Sequence, residues 1–144
     1  MGYRRKSREA ALQALFYIEA DKLAETDKKE QDELLNHFCT NFEDILTKEI
    51  KPFFLLLVNG VLNCRAELDT LLNKCSKNWK LSRMSSVDKN IMRIGAFELL
   101  KCPDIPASVT IDEAVEIGKK FGAKESGAFI NGVLDQIRKQ ENIA

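Results

Sequence analysis

The sequence predicts an all-α protein, a compact bundle of six or seven helices, on three observations. Apolar residues recur at three- and four-residue steps along most of the 144 residues. Alternating runs of strand type are nearly missing, and no Asn-Gly pair is flanked by β-branched alternation. Capping pairs, prolines and glycines fall between the apolar stripes, where helices should start and stop.

Each element follows from its own stripe. A first helix is expected from about Ser7 to Ala20, burying Ala11, Leu12, Leu15, Phe16 and Ile18. Phe16 continues the Leu12/Leu15 stripe, which favours a core position; the alternative is a partly exposed ring able to stack on an unpaired base. Asp27 with Glu30 caps a second stripe through Leu34, Leu35, Phe38, Phe42, Ile45 and Leu46. Pro52 is tolerated in a first turn. The run Phe54, Leu57, Val58, Val61, Leu62, Leu68, Leu71, Leu72, Cys75 then predicts the longest helix, a central strut. The pattern breaks over residues 81–86. Ser85 with Asp88 caps a stripe through Ile91, Ile94, Ala96, Phe97 and Leu100, and Pro103 and Pro106 confine the next stretch to a loop. Thr110 with Glu113 should cap the penultimate helix and Gly122 should end it as a C′ residue. A last helix is expected from about Lys124 to Lys139, with Val133, Leu134 and Ile137 as core.

Composition narrows the function classes. Hydrophobic content of 44% and charged content of 31% are ordinary for a soluble globular protein, and the length fits one domain. The longest apolar run, Phe53 to Val58, is far short of the roughly 18 residues that span a bilayer. No signal-peptide core succeeds the basic start, and Lys6 stands where a myristoylation motif needs Ser or Thr. A cytoplasmic protein with no membrane partner is expected. Cys39, Cys64, Cys75 and Cys102 form no C-x-x-C pair, and the single histidine, His37, gives no ligand spacing for zinc, so reduced thiols and no metal or cofactor are expected. There is no phosphate-binding glycine loop and no H-E-x-x-H. The adjacent carboxylates Asp112/Glu113 and Glu43/Asp44 splay on a helix and read as charges complementing its dipole. No enzyme is expected.

Charge distribution is more telling than the net charge of zero. Arg4, Arg5, Lys6 and Arg8 have no acid among them, whereas residues 21–33 are acid-rich. Four cations at a helix N-terminus oppose the macrodipole, so helix stability does not explain them. They form either a solubilising tail or a contact for a polyanion. Lys119, Lys120 and Lys124 surround the Phe121-Gly122 corner, as an ordinary solvated helix end or as a second basic contact. Phe129 reads by default as packing. Asn131-Gly132 inside a helix costs about 1 kcal/mol relative to good formers. A close helix crossing would explain Gly132, and Asn131 is placed to hydrogen-bond a loop or a ligand.

At these residues the chain resembles a known family. Ile111-Asp112-Glu113-Ala114-Val115-Glu116-Ile117, Lys119-Lys120-Phe121-Gly122 and Phe129-Ile130-Asn131-Gly132-Val133-Leu134-Asp135 are similar to the C-terminal signature of the NusB family, bacterial transcription antitermination factors. Val87-Asp88-Lys89, Met92-Arg93-Ile94 and Phe97-Glu98-Leu99-Leu100 resemble its preceding helix. Arg8-Glu9-Ala10-Ala11-Leu12-Gln13-Ala14-Leu15-Phe16, after the basic start, resembles its N-terminal arm and first helix.

The resemblance implies one domain over residues 1–144 built from two small helical subdomains, an N-terminal half 1–78 and a C-terminal half 79–144. It implies binding of single-stranded boxA RNA from ribosomal RNA leaders together with NusE, a small-subunit ribosomal protein. The pair would join the elongating RNA polymerase with other Nus factors and suppress premature termination. Arg4, Arg5, Lys6 and Arg8 would hold phosphates, and Phe16, often tyrosine in the family, would sit by the bases. Asp88 matches an acidic position near the RNA and partner surfaces, and Phe129 and Asn131 match the helix completing the groove. Read from their own charge and not from the resemblance, Lys119, Lys120 and Lys124 would add cations beside that groove. Ser126-Gly127-Ala128 is smaller and less polar than the matching turn of many members, so fewer contacts are expected from it. Similar domains also front an rRNA cytosine methyltransferase; that reading needs a downstream catalytic domain, and the chain stops at Ala144. A protein-only helical scaffold is the third reading. Some members self-associate, and a homodimer is left open.

Overall fold

The computed structural model describes residues 2–76 and 84–144. Among them are seven α-helices and no strand: α1 (Tyr3–Glu19), α2 (Lys28–Asn41), α3 (Lys51–Asn63), α4 (Arg65–Cys75), α5 (Ser86–Lys101), α6 (Ala107–Phe121) and α7 (Ser126–Gln140), with a short 3-10 turn at Lys22–Glu25. The all-α expectation holds. The chain divides into two compact units, Met1–Val58 and Asn59–Ala144. The expected boundary at 78/79 lies outside the described residues, as do residues 81–83 of the break expected over 81–86.

In the first unit α1 packs on α2 and on the 3-10 turn. Ala11, Leu12, Leu15 and Ile18 are buried as the stripe requires. Phe38 is the aromatic hub: its ring stacks on Phe42 and Phe54 at centroid distances of 4.5 and 5.8 Å, and Tyr17 tilts against it at 6.1 Å. Asp27 caps α2, its carboxylate accepting from the Lys29 and Glu30 amides, as the Asp-x-x-Glu pattern predicts. That helix ends at Asn41, earlier than its stripe suggests, so Ile45 lies in a turn and is exposed while Leu46 stays buried.

Two helix starts differ from expectation for tertiary reasons. Helix α1 begins at Tyr3 and absorbs the basic arm. The Ser7 hydroxyl shares its proton between Ile50 O at 2.8 Å and Tyr3 O at 2.9 Å, and the Arg4 and Arg8 guanidinium groups lie 4.9 and 5.3 Å from the Phe53 ring centroid. These contacts offset the unfavourable dipole of cations in a first turn. Helix α6 begins at Ala107 after Pro106, not at a Thr110 cap. Thr110 lies inside it and donates to Glu98 Oε1 at 3.2 Å, so its hydroxyl serves a buried carboxylate of α5 instead of the backbone.

The expected central strut is two helices, broken at Cys64 (φ −106°, ψ 12°). Asn63 and Cys64 are weak helix formers, and Glu67 complements the new N-terminus that the break creates. In the second unit α5 packs on α4, α6 and α7, and α6 lies along α7. Two glycines permit these approaches, a Cβ at Gly95 lying 2.7 Å from Leu134 Cδ1 and one at Gly118 2.6 Å from Ile130 Cδ1, and a third, Gly60 of α3, leaves room for the Phe97 ring of α5. Arg93, 3% exposed, holds α5 to α4 through a bidentate pair with Asp69 at 2.7 and 3.0 Å, and donates to Asn90 Oδ1 at 3.0 Å. Val133, Leu134 and Ile137 are buried as expected.

Candidate nucleic-acid interface

The first unit carries the basic arm and Phe16. Of the four cations, Arg4 and Lys6 are exposed and Arg5 is half-buried, but Arg8 is only 3% exposed beneath the Phe53 ring. Arg8 is therefore a packing residue as well as a charge, and a reading of the whole arm as solvated tail does not hold. Phe16 is 51% exposed, contrary to the core position its stripe favours. The stripe is real, but Phe16 sits at its edge, where the buried arc of Leu12, Leu15 and Ile18 turns away from it. Lys6, Gln13 and Phe16 succeed one another up the exposed face of α1, giving a cation at one end and a bare ring at the other.

The second unit carries a pocket of about 210 Å³ lined by Met84, Ser85, Asp88, Ala123, Glu125, Ser126 and Phe129. Its geometry starts at the N-terminus of α5. Ser85 is the N-cap and its hydroxyl accepts from the Asp88 amide at 3.1 Å, as the Ser-x-x-acid pattern predicts. The Asp88 carboxylate then turns outward from the helix. Oδ2 accepts from the Ser126 hydroxyl at 3.1 Å, and that hydroxyl accepts from the Ala123 amide at 2.9 Å. Oδ1 is buried with no hydrogen-bond partner among the described residues.

The corner between α6 and α7 closes the pocket's other side. Gly122 ends α6, as expected, but as its cap residue in an extended conformation (φ −93°, ψ −169°) and not a left-handed one. Glycine is required there for space: a Cβ would lie 2.5 Å from Ser126 Oγ and 2.8 Å from Gly118 O. Lys119, Lys120 and Lys124 are exposed around this corner. Lys119 pairs with Glu116 at 3.5 Å, and the Lys120 ammonium lies 5.1 Å from the Phe121 ring centroid.

The structure thus brings Asp88 and Phe129 to one pocket, but not Asn131. Two residues along a helix is a turn of about 200°, so Asn131 lies on the other side of α7, exposed. A Cβ at its neighbour Gly132 would meet nothing within 4 Å, so no close crossing explains that glycine. Sequence reasoning missed Ser126, Glu125, Ala123 and Met84 as lining residues, and found Ser85 only as a helix cap. Ser126 was readable only as a small residue after the corner, since its role depends on Asp88 being 38 positions away in sequence and 3.1 Å away in space. Among the described residues no group of three potential metal ligands gathers anywhere.

The family model that matches the chain is that of the NusB family, over residues 5–139. The chain belongs to the NusB family. The transcription antitermination protein NusB of Desulforapulum autotrophicum is 59% identical over 143 residues, covering 99% of this chain and 96% of the relative. That of Geotalea daltonii is 45% identical over 139 residues, covering 95% and 94%. A solved structure of T. maritima NusB has a TM-score of 0.81 at 35% identity, over 95% of this chain and 91% of that one. A chain from a crystal structure of the antitermination factors NusB and NusE in complex with dsRNA has a TM-score of 0.80 over 96% and 97%, and at 23% identity shows the shared NusB fold.

Proposed function

We propose that this chain is a transcription antitermination factor that binds single-stranded boxA RNA of ribosomal RNA leaders together with NusE. The pair would act in the cytoplasm on the elongating RNA polymerase with other Nus factors, by assembly and without a catalytic step. Family membership along residues 5–139 supports the antitermination role. The observation that carries RNA binding is the exposed Phe16 ring on a helix that begins with Arg4, Arg5 and Lys6, since single-stranded RNA is read by stacking beside cations that hold its backbone.

The second unit supports the same reading by a division of charge. Lys119, Lys120 and Lys124 offer phosphate contacts at the corner. The pocket beside them carries the Asp88 and Glu125 carboxylates, which repel phosphate, so it would receive an uncharged base edge with donors to offer. Phe129 supplies an apolar wall and a ring face. Asn131, on the other side of α7, would contact RNA or partner separately.

The test is co-purification with the host's NusE, followed by titration with boxA RNA and a scrambled control. Preference for boxA, raised by NusE, is the expected result. Equal binding of both RNAs would leave only a basic protein, and NusE binding with no RNA binding would leave a protein-only scaffold.

A further inference from the structure

Ser126 is 3% exposed, yet it is the first residue of α7, where most side chains are solvated. Its hydroxyl ties three pieces of the pocket together: it donates to Asp88 Oδ2 on α5, accepts from the Ala123 amide in the corner, and occupies the space that a side chain at Gly122 would need. An aspartate at the third position of a capped helix can turn back to the N-cap amide. Here Asp88 does not, because one oxygen is held by Ser126, and its other oxygen is left buried without a partner among the described residues. Leaving a carboxylate oxygen without a donor is unfavourable, and rotation about χ2 would relieve it unless something pins the group.

We infer that Ser126 is the positioning residue of this pocket: it fixes the Asp88 carboxylate in the pocket wall, so that a donor brought by the bound RNA meets that group in one orientation. This rests on the RNA-binding reading above. Its hydroxyl touches the RNA nowhere; it acts through Asp88, so its contribution should vanish when Asp88 is gone.

The test is a double-mutant cycle on the full chain with NusE, scoring the ratio of affinities for boxA and scrambled RNA. The variants are Ser126→Ala, Asp88→Ala, their combination, Ser126→Thr, and Ser126→Cys, which keeps the volume with only a weak donor. Ser126→Ala and Ser126→Cys should lower the ratio about tenfold, the effect of one charge-assisted hydrogen bond, and Asp88→Ala at least as much. The combination should match Asp88→Ala within about twofold, and Ser126→Thr should restore most of the preference. Losses that multiply in the combination, an unchanged ratio in Ser126→Cys, or equal weakening toward both RNAs would overturn the inference, the last being what a purely structural role gives. A wild-type protein that does not discriminate would remove the RNA reading and this inference with it.

Discussion

The Arg8 guanidinium lies 5.3 Å from the centre of the Phe53 ring while Arg8 itself is 3% exposed. One residue of an apparently solvated basic arm is thereby built into the first unit. Arg4 shares the same ring from 4.9 Å.

Arg8→Ala should lower stability by about 1–2 kcal/mol, through lost packing of the stem and lost cation–ring attraction. Lys6→Ala, at an exposed position, should stay within about 0.5 kcal/mol. Urea melts of the two variants check this. Toward RNA the order reverses: Lys6→Ala should reduce the slope of log affinity against log salt by about 0.7, the share of one phosphate contact on a single strand.

Phe16→Ala should leave the melting temperature nearly unchanged, because the ring is half in solvent. It should weaken boxA binding by about 1–3 kcal/mol, the range for one stacked base, and Phe16→Tyr should retain affinity. A Phe16→Ala protein that binds boxA normally would return this ring to the status of an ordinary surface residue.

Two glycine substitutions should act in opposite directions. Gly60→Ala drives a methyl group into the Phe97 ring and should destabilise by about 1–3 kcal/mol. Gly132→Ala meets nothing within 4 Å in the middle of α7 and should stabilise by up to about 1 kcal/mol. Thermal denaturation reads both. If Gly132→Ala also impairs NusE or RNA binding, that open face is a contact surface.

Burial pushes the Cys75 thiol above its ordinary 9.0, with Lys74 opposing the rise and Glu141 adding to it. Cys39 moves the same way, through burial opposed by Lys51. Both thiols stay protonated in the folded state at a pH where the unfolded chain has begun to release protons. Their contribution to stability is therefore complete below about pH 9 and declines as pH rises past it. Thiol titration of the native protein at neutral pH should find Cys75 unreactive until urea unfolds the chain. Rapid native labelling of Cys75 would contradict its burial.

Much of the fold was legible because its signals are local. Apolar spacing placed the stripes of α1, α2 and α5, and the Asp27–Glu30 and Ser85–Asp88 patterns marked helix starts that the structure keeps, since a cap involves only three or four consecutive residues. The Thr110 cap failed because α6 already begins at Ala107 behind Pro106, and inside the helix the Thr110 hydroxyl serves Glu98, twelve residues earlier. The single long strut failed because two weak formers at Asn63-Cys64 do not stand out in an apolar periodicity that continues past them.

Local periodicity and composition were enough for the helical class, the centre of each core stripe, the basic start and the family. They could not say which side of each stripe's edge a residue takes, because burial depends on what packs there. Phe16 and Arg8 show this: the ring reads as core and is exposed, the cation reads as solvated and is buried. Only the tertiary structure brought Ser126 to Asp88. That contact depends on how α5 meets the corner between α6 and α7, and on Gly122 leaving room for a hydroxyl there. Helix periodicity specifies a direction along one element, while a pocket requires the distances between several.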